Sequence, residues 1–117
     1  MNEFSLIFRS AQDPDVQFSP EEMQGVLKQW HDWMGGIAAA GRLANPGNRL
    51  GFDAAVVRDN VVTDGPYAEI KEMISGYILV KGDDINCAIE MAKGCPVLKI
   101  GGSVEVRSII PMSMELN

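Results

Sequence analysis

"SGYILVKGDDINCAIEMAKG", residues 75–94, holds a strand, a helix and the join between them. Its first half is apolar, aromatic and β-branched, the composition of a strand with buried neighbours. The period then changes. Ile85, Ala88, Ile89 and Ala92 recur at helical spacing, with Asp83 as N-cap and Gly94 as stop. "CPVLKIGG" (95–102) reads as a loop with a short extended piece. "SVEVRSIIP" (103–111) returns to a period of two. The C-terminal half is therefore strand, helix, strand.

The N-terminal half repeats this order. In "EFSLIFRS" (3–10), Phe4, Leu6 and Phe8 alternate with Ser5, Ile7 and Arg9, giving one apolar and one mixed face. "AQDPDVQF" (11–18) reads as a loop, because the residue before proline is pushed out of the helical region. "SPEEMQGVLKQWHDWMGGIAAAG" (19–41) predicts a helix. Ser19, Pro20 and Glu22 form a capping box with proline in the first turn. Met23, Val26, Leu27, Trp30, Met34 and Ile37 make an apolar stripe, and Gly41 ends it. Gly35 and Gly36 weaken the helix interior by about 1 kcal/mol each relative to Ala. "RLANPGNRL" (42–50) reads as a turn-rich connection. "GFDAAVVR" (51–58) and "VVTD" (61–64) read as strands joined at Asp59–Asn60, two residues that tolerate left-handed backbone. Asp64-Gly65-Pro66 breaks the second of them.

This order predicts an α+β domain of the split βαβ, ferredoxin-like type, spanning 1–117, with an antiparallel sheet and both helices on one face. Such a sheet has an uncovered face. In this chain a second copy is the expected cover, so the prediction is a homodimer, sheet to sheet, with two-fold symmetry. In the final strand Val104 and Val106 point toward the helices, while Glu105 and Arg107 point to the other face. Charges between two sheets must be paired or bound. Two readings follow: Glu105 and Arg107 form a structural ion pair, or Arg107 holds an anionic ligand group in a polar cleft.

The totals exclude several functions. At 117 residues with 46% apolar and 22% charged residues, the chain can bury one real core. A net charge of −6 argues against nucleic-acid binding and against docking on anionic lipid. No apolar run reaches the ~20 residues that span a bilayer, and the N-terminus lacks a signal-peptide pattern, so a cytoplasmic protein is expected. Cys87 and Cys95 are too few for a disulfide framework. With one His they are also too few for a zinc site, so free, inert thiols are expected. No nucleotide motif appears, and any chemistry is expected to need no cofactor.

The stretch "TDGPYAEIKEMISGYILV" (63–80) puts Asp64, Tyr67, Glu69, Lys71 and Glu72 before a core strand. As structure, it reads as a bulged crossing whose Asp64 bonds its own turn. As a site, Asp64 is a base or orients His31, Tyr67 lines the cleft and Lys71 meets an acidic ligand. His31 lies about 80° around the helix from Met23, at the edge of the stripe. It is a surface residue or a proton carrier, and its imidazole is the side chain suited to titrate near neutrality. Trp30 and Trp33 lie on or near the stripe, as core or as a stacking surface for a ligand.

"DGPYAEIKEMISGYILV" (64–80), "AIEMAKGCP" (88–96), "GGSVEVRSI" (101–109) and "QWHDWMGGIAAAGRLANPGNRL" (29–50) together resemble the YCII-related family, and within it the subgroup marked by an Asp-Gly-Pro-Phe motif. The resemblance runs from the first strand to about Ile109. It implies a ferredoxin-like fold paired into a dimeric α/β barrel, in a bacterial, cytoplasmic protein. It also implies a His–Asp pair in the cleft, considered catalytic in part of the family, and a gene context beside alternative sigma factors. Tyr67 stands where the motif has Phe. Counting back from Gly41, Trp30 stands where the family has its His, and His31 is one residue on, turned by about 100°.

Two functions follow. One is a cofactor-free lyase or isomerase for a small acidic or aromatic molecule, with Arg107 (beside Glu105) on the anion, His31 or Asp64 moving the proton, and Trp30 shaping the pocket. The other is a noncatalytic module that binds a small ligand or a protein in sigma-factor-type transcription control.

Overall fold

The computed structural model describes residues 1–10, 19–51, 53–64 and 73–112, with backbone alone for Thr63 and Asp64. The elements run in the order β1 (Asn2–Arg9), α1 (Pro20–Ala39), β2 (Leu43–Arg49), β3 (Ala55–Arg58), β4 (Val61–Asp64), β5 (Ile74–Gly82), α2 (Ile85–Ala92), a 3-10 turn (Pro96–Ile100) and β6 (Ser103–Ser108). Four strands form one antiparallel sheet in the order β2-β5-β1-β6. That is the ferredoxin-like α+β arrangement expected from the sequence. Strands β3 and β4 form a separate two-stranded sheet.

Alternation on β1 decides which face is core. Phe4, Leu6 and Phe8 are buried and oppose Val80, Ile78 and Gly76 on β5. On the other side they oppose Ser108, Val106 and Val104 of β6. Ile37 from α1, Ala88 and Ala92 from α2, and Cys95 and Val97 after α2 complete this layer. Fully burying side chains such as Leu6 and Ile78 contributes about 1.5–3 kcal/mol each.

The start of α1 is the capping box expected. The Glu22 N–H donates to Ser19 Oγ at 3.1 Å, and the Ser19 N–H donates to Glu22 Oε1 at 3.1 Å. At its end Gly41 takes φ +73°, so the Arg42 N–H reaches back to the Ile37 carbonyl at 3.0 Å. Only part of the expected stripe is covered. Trp30, Trp33 and Met34 pack against the core, but Met23 and Leu27 are exposed. Beside Gly35 and Gly36 there is open space, so neither glycine serves a close approach.

Three expectations are corrected. Residues 42–50 are not a plain connection, because β2 runs through them as an edge strand on β5. Pro46 is accommodated because an edge strand tolerates a missing donor. The register shifts twice, between Leu43 and Asn45 and between Asn45 and Asn48, around a turn in which the Gly47 N–H donates to Asn45 Oδ1 at 2.8 Å. Gly47 has φ +63°, and a Cβ there would overlap the Tyr77 carbonyl. Second, α2 is capped by Asp84 rather than Asp83: the Cys87 N–H donates to Asp84 Oδ1 at 3.1 Å. Of the expected face Ala88 and Ala92 are buried, while Ile85, the first residue of the helix, is exposed. Third, residues 96–100 are a 3-10 turn that buries Pro96 and Val97, not an extended loop.

The hairpin forms at the expected turn, but its first strand covers Ala55–Arg58 rather than 51–58. Asp59 and Asn60 take φ +48° and +67°, the left-handed pair of a two-residue turn. The two helices are tied by Trp33, whose Nε1–H donates to the Met91 carbonyl at 2.9 Å. Among the described residues no helix is long and apolar enough to cross a membrane. The expected loop at 11–18 and the turn and crossing at 65–72 lie outside the described residues.

Candidate functional site

The face of the sheet turned away from the helices carries the other half of each alternation. On β1 these are Glu3, Ser5, Ile7 and Arg9; on β5 Tyr77, Leu79 and Lys81; on β6 Glu105 and Arg107. Ser5, Ile7, Tyr77 and Leu79 line an open groove of ≈ 450 Å³ on this face, with Leu50, Ile74 and Ile109 at its edges. The groove is apolar apart from the Ser5 and Tyr77 hydroxyls. Tyr77 is anchored from β2, where Asn48 Nδ2 donates to Tyr77 Oη at 3.1 Å.

Charge borders the groove on one side. Arg107 is the cross-strand neighbour of Ser5, and Glu105 that of Ile7, so both lie about 5 Å from groove residues. The Glu105 carboxylate accepts from Arg9 Nη2 at 3.2 Å and Nε at 3.3 Å through Oε1, and from Arg107 Nη1 at 3.1 Å through Oε2. These donors, Arg107 first and then Arg9, hold its carboxyl below the usual range. Glu105 therefore stays ionised and makes a poor proton acceptor. The Arg107 side chain is twice as exposed as its partner, 68% against 35%, so its guanidinium is reachable from solvent.

The structure brings Glu105 and Arg107 together and places Trp30 and His31 elsewhere. Trp30 sits on the helix side of the sheet, its ring edge-on to Phe8 at 5.0 Å and to Trp33 at 5.7 Å. His31 is exposed on α1, the helix that covers the same side. Within one chain neither lies on the face that carries Arg107. Asp64 closes β4. Tyr67 and Lys71 lie outside the described residues. Cys95 is buried, and burial pushes its thiol up to about 11, which leaves it protonated and inert at neutral pH. Among the described residues no group of three or more His, Cys, Asp or Glu could hold a metal ion.

The groove's own residues Ser5, Ile7, Tyr77 and Leu79, and the Asn48 that anchors Tyr77, were not singled out as a site from the sequence. The signal was present as the second phase of the two central strands. Those strands carry Ser5-x-Ile7-x-Arg9 and Tyr77-x-Leu79, a face too apolar for solvent and too polar for a core.

A four-stranded antiparallel sheet with two helices on one face and a groove on the other defines the ferredoxin-like α+β class. Within it, the model of the YCII-related domain matches residues 6–113, and the chain belongs to that family. No curated protein matches the chain.

Proposed function

We propose that this protein is a small-ligand binder that works as a homodimer, sheet against sheet, in the manner of a dimeric α/β barrel. Its ligand is an anion with an apolar or aromatic body. The observation that carries this reading is the adjacency of an apolar groove and an accessible guanidinium on the uncovered sheet face. The groove takes the body of the ligand, the Arg107 guanidinium takes the anion, and the Tyr77 hydroxyl adds a directed hydrogen bond.

Binding without turnover fits the groove better than catalysis. A lyase or isomerase needs a base beside the bound anion. Among the described residues two carboxylates share this face: Glu105 is held ionised by two arginines, and Glu3 lies opposite Lys81; His31 is on the helix side. This favours a noncatalytic regulatory module in the cytoplasm. With it we propose membership of the Asp-Gly-Pro-Phe subgroup and its sigma-factor context; the acidity of the chain supports action through a ligand or a protein rather than on nucleic acid.

Benzoate and its neutral isostere benzamide test the assignment by titration calorimetry. Benzoate is expected to bind, benzamide to bind more weakly, and Arg107→Ala to weaken benzoate by roughly tenfold, about the 1.4 kcal/mol of one charge-assisted hydrogen bond. Equal affinity of the Arg107→Ala variant and the unsubstituted chain for benzoate would remove Arg107 from the site.

A further inference from the structure

The Arg9–Glu105–Arg107 cluster beside the groove is bonded unequally. Glu105 Oε1 accepts from Arg9 twice, from Nη2 at 3.2 Å and from Nε at 3.3 Å. Glu105 Oε2 accepts from Arg107 once, from Nη1 at 3.1 Å. Two bonds from one planar guanidinium hold a carboxylate more firmly than one. Arg9 and Glu105 are also half-buried, whereas Arg107 is exposed. Glu105 is thus the fixed member of the pair it makes with Arg107.

Strand register sets the order along the rim. Arg9 stands opposite Ser103 on β6, Ile7 opposite Glu105, and Ser5 opposite Arg107. Glu105 therefore lies between the two arginines, with Arg9 on its far side from Arg107. Ser5 and Ile7 both line the groove, so a ligand body resting on them is flanked by Arg107 and Glu105 together.

This neighbourhood treats a first and a second negative charge differently. Arginine has five N–H donors, and Glu105 engages Arg107 through Nη1. An incoming anion takes the outer donors while Glu105 stays where Arg9 holds it. Two anions on opposite edges of one guanidinium stand roughly 6 Å apart, and like unit charges at that separation weaken binding by about threefold in bulk water and by more near a protein surface. Direct contact with the guanidinium offsets this for the first charge. A second charge, a ring's width away, faces Arg107 and Glu105 as a pair that sums to zero. It would also lie over Ile7 and Leu79, in a groove whose described lining holds no cation, and lose hydration there without a partner.

We propose that Glu105 is the specificity residue of the groove: held in place by Arg9, it lets Arg107 take one negative group and rejects a second, so the ligand is a monoanion with a neutral body. This rests on the Arg107 site proposed above and narrows its ligand class.

The test titrates three probes into the full chain by calorimetry near neutral pH: benzoate, isophthalate, and the monomethyl ester of isophthalate, which shares its ring and carries one charge less. The unsubstituted chain is expected to bind the ester several-fold more tightly than isophthalate. Glu105→Gln is expected to tighten benzoate by about threefold and isophthalate by more, so that the preference for the ester shrinks. Glu105→Asp keeps the charge and should keep the preference. Glu90→Gln, on α2, removes the same unit of charge from the helix side and should leave all three affinities as they are. Benzoate affinity unchanged by Glu105→Gln, or raised equally by Glu90→Gln, overturns the role of Glu105. In that case a loss of benzoate affinity in Arg107→Ala leaves the anion site standing. Isophthalate bound as tightly as its ester by the unsubstituted chain overturns the monoanion class. A preference that persists unchanged from about 0.01 to 0.15 M salt, as the screening length falls from about 30 to 8 Å, also overturns a charge-based choice. Failure of benzoate itself to bind overturns both the choice and the site.

Discussion

At the scale of single residues, the strongest constraint lies at Gly47, and the reason is backbone rather than side chain. Its φ of +63° and the Tyr77 carbonyl against its missing Cβ allow no other residue without movement of β2. Gly47→Ala is expected to destabilise the chain by about 2–4 kcal/mol in urea unfolding, and to disturb the Asn48–Tyr77 hydrogen bond beside the groove. Cys95 makes a separate prediction. Its folded pKa of about 11 stands above the ordinary 9.0, so the unfolded chain releases this proton first as pH rises. The contribution is full below pH 9, declines between pH 9 and 11, and is lost above that. Unfolding free energy should therefore fall over this window, and less steeply in Cys95→Ala. A thiol reagent at pH 8 should label the partly exposed Cys87 well before Cys95. Glu105 runs the other way. Its lowered pKa contributes stability above the ordinary carboxyl range, near 4.5, and loses it as pH falls through the folded value, so Glu105→Gln should blunt the acid limb of the stability profile. Much of this scale was legible in the sequence. Ser19 and Glu22 capped the helix as read, and Asp59–Asn60 made the turn. Asp83 and Asp84 are equally good caps by type, and only the strand's end at Gly82 decides between them.

At the scale of elements, α1 and α2 are joined less by broad packing than by one directed contact, from Trp33 to the Met91 carbonyl. Trp33→Phe keeps the ring against Phe8 but removes this tie, and the Met91 carbonyl retains the Gly94 N–H at 3.2 Å. A loss of about 0.5–1.5 kcal/mol is expected in thermal or denaturant unfolding, with the fold retained by circular dichroism. Elements with a clean period were legible, namely β1, α1, the hairpin, β5, α2 and β6. The exception was β2. Asn-Pro-Gly-Asn is turn chemistry by every local rule, and what makes it a strand is pairing with β5 some thirty residues away, which local pattern does not carry. The same limit explains α1. Its apolar stripe is continuous from Met23 to Ile37, but the sheet beneath reaches only Trp30 and beyond. Trp30 reads as core first and as a stacking surface second, and the Phe8 ring against it fits the first reading.

At the scale of the whole molecule, the asymmetry of the sheet organises everything else. One face is sealed by both helices and holds the Phe4-Leu6-Phe8 core. The other carries a groove, the Arg9–Glu105–Arg107 cluster and no cover among the described elements. The uncovered face was foreseen from strand and helix order, and the pairing of Glu105 with Arg107 was foreseen from strand phase. The separation of His31 from Arg107 was not drawn from the sequence, although it follows once both helices lie on the face that Val104 and Val106 point to. The claim that this open face meets its own copy is tested most directly by sedimentation equilibrium, on the unsubstituted chain and on Leu79→Asp, which puts a charge at the groove floor. The account predicts a species of twice 12.7 kDa at about 10 µM, and a Kd raised roughly a hundredfold or more in the variant. A single 12.7 kDa species for the unsubstituted chain at that concentration would contradict it.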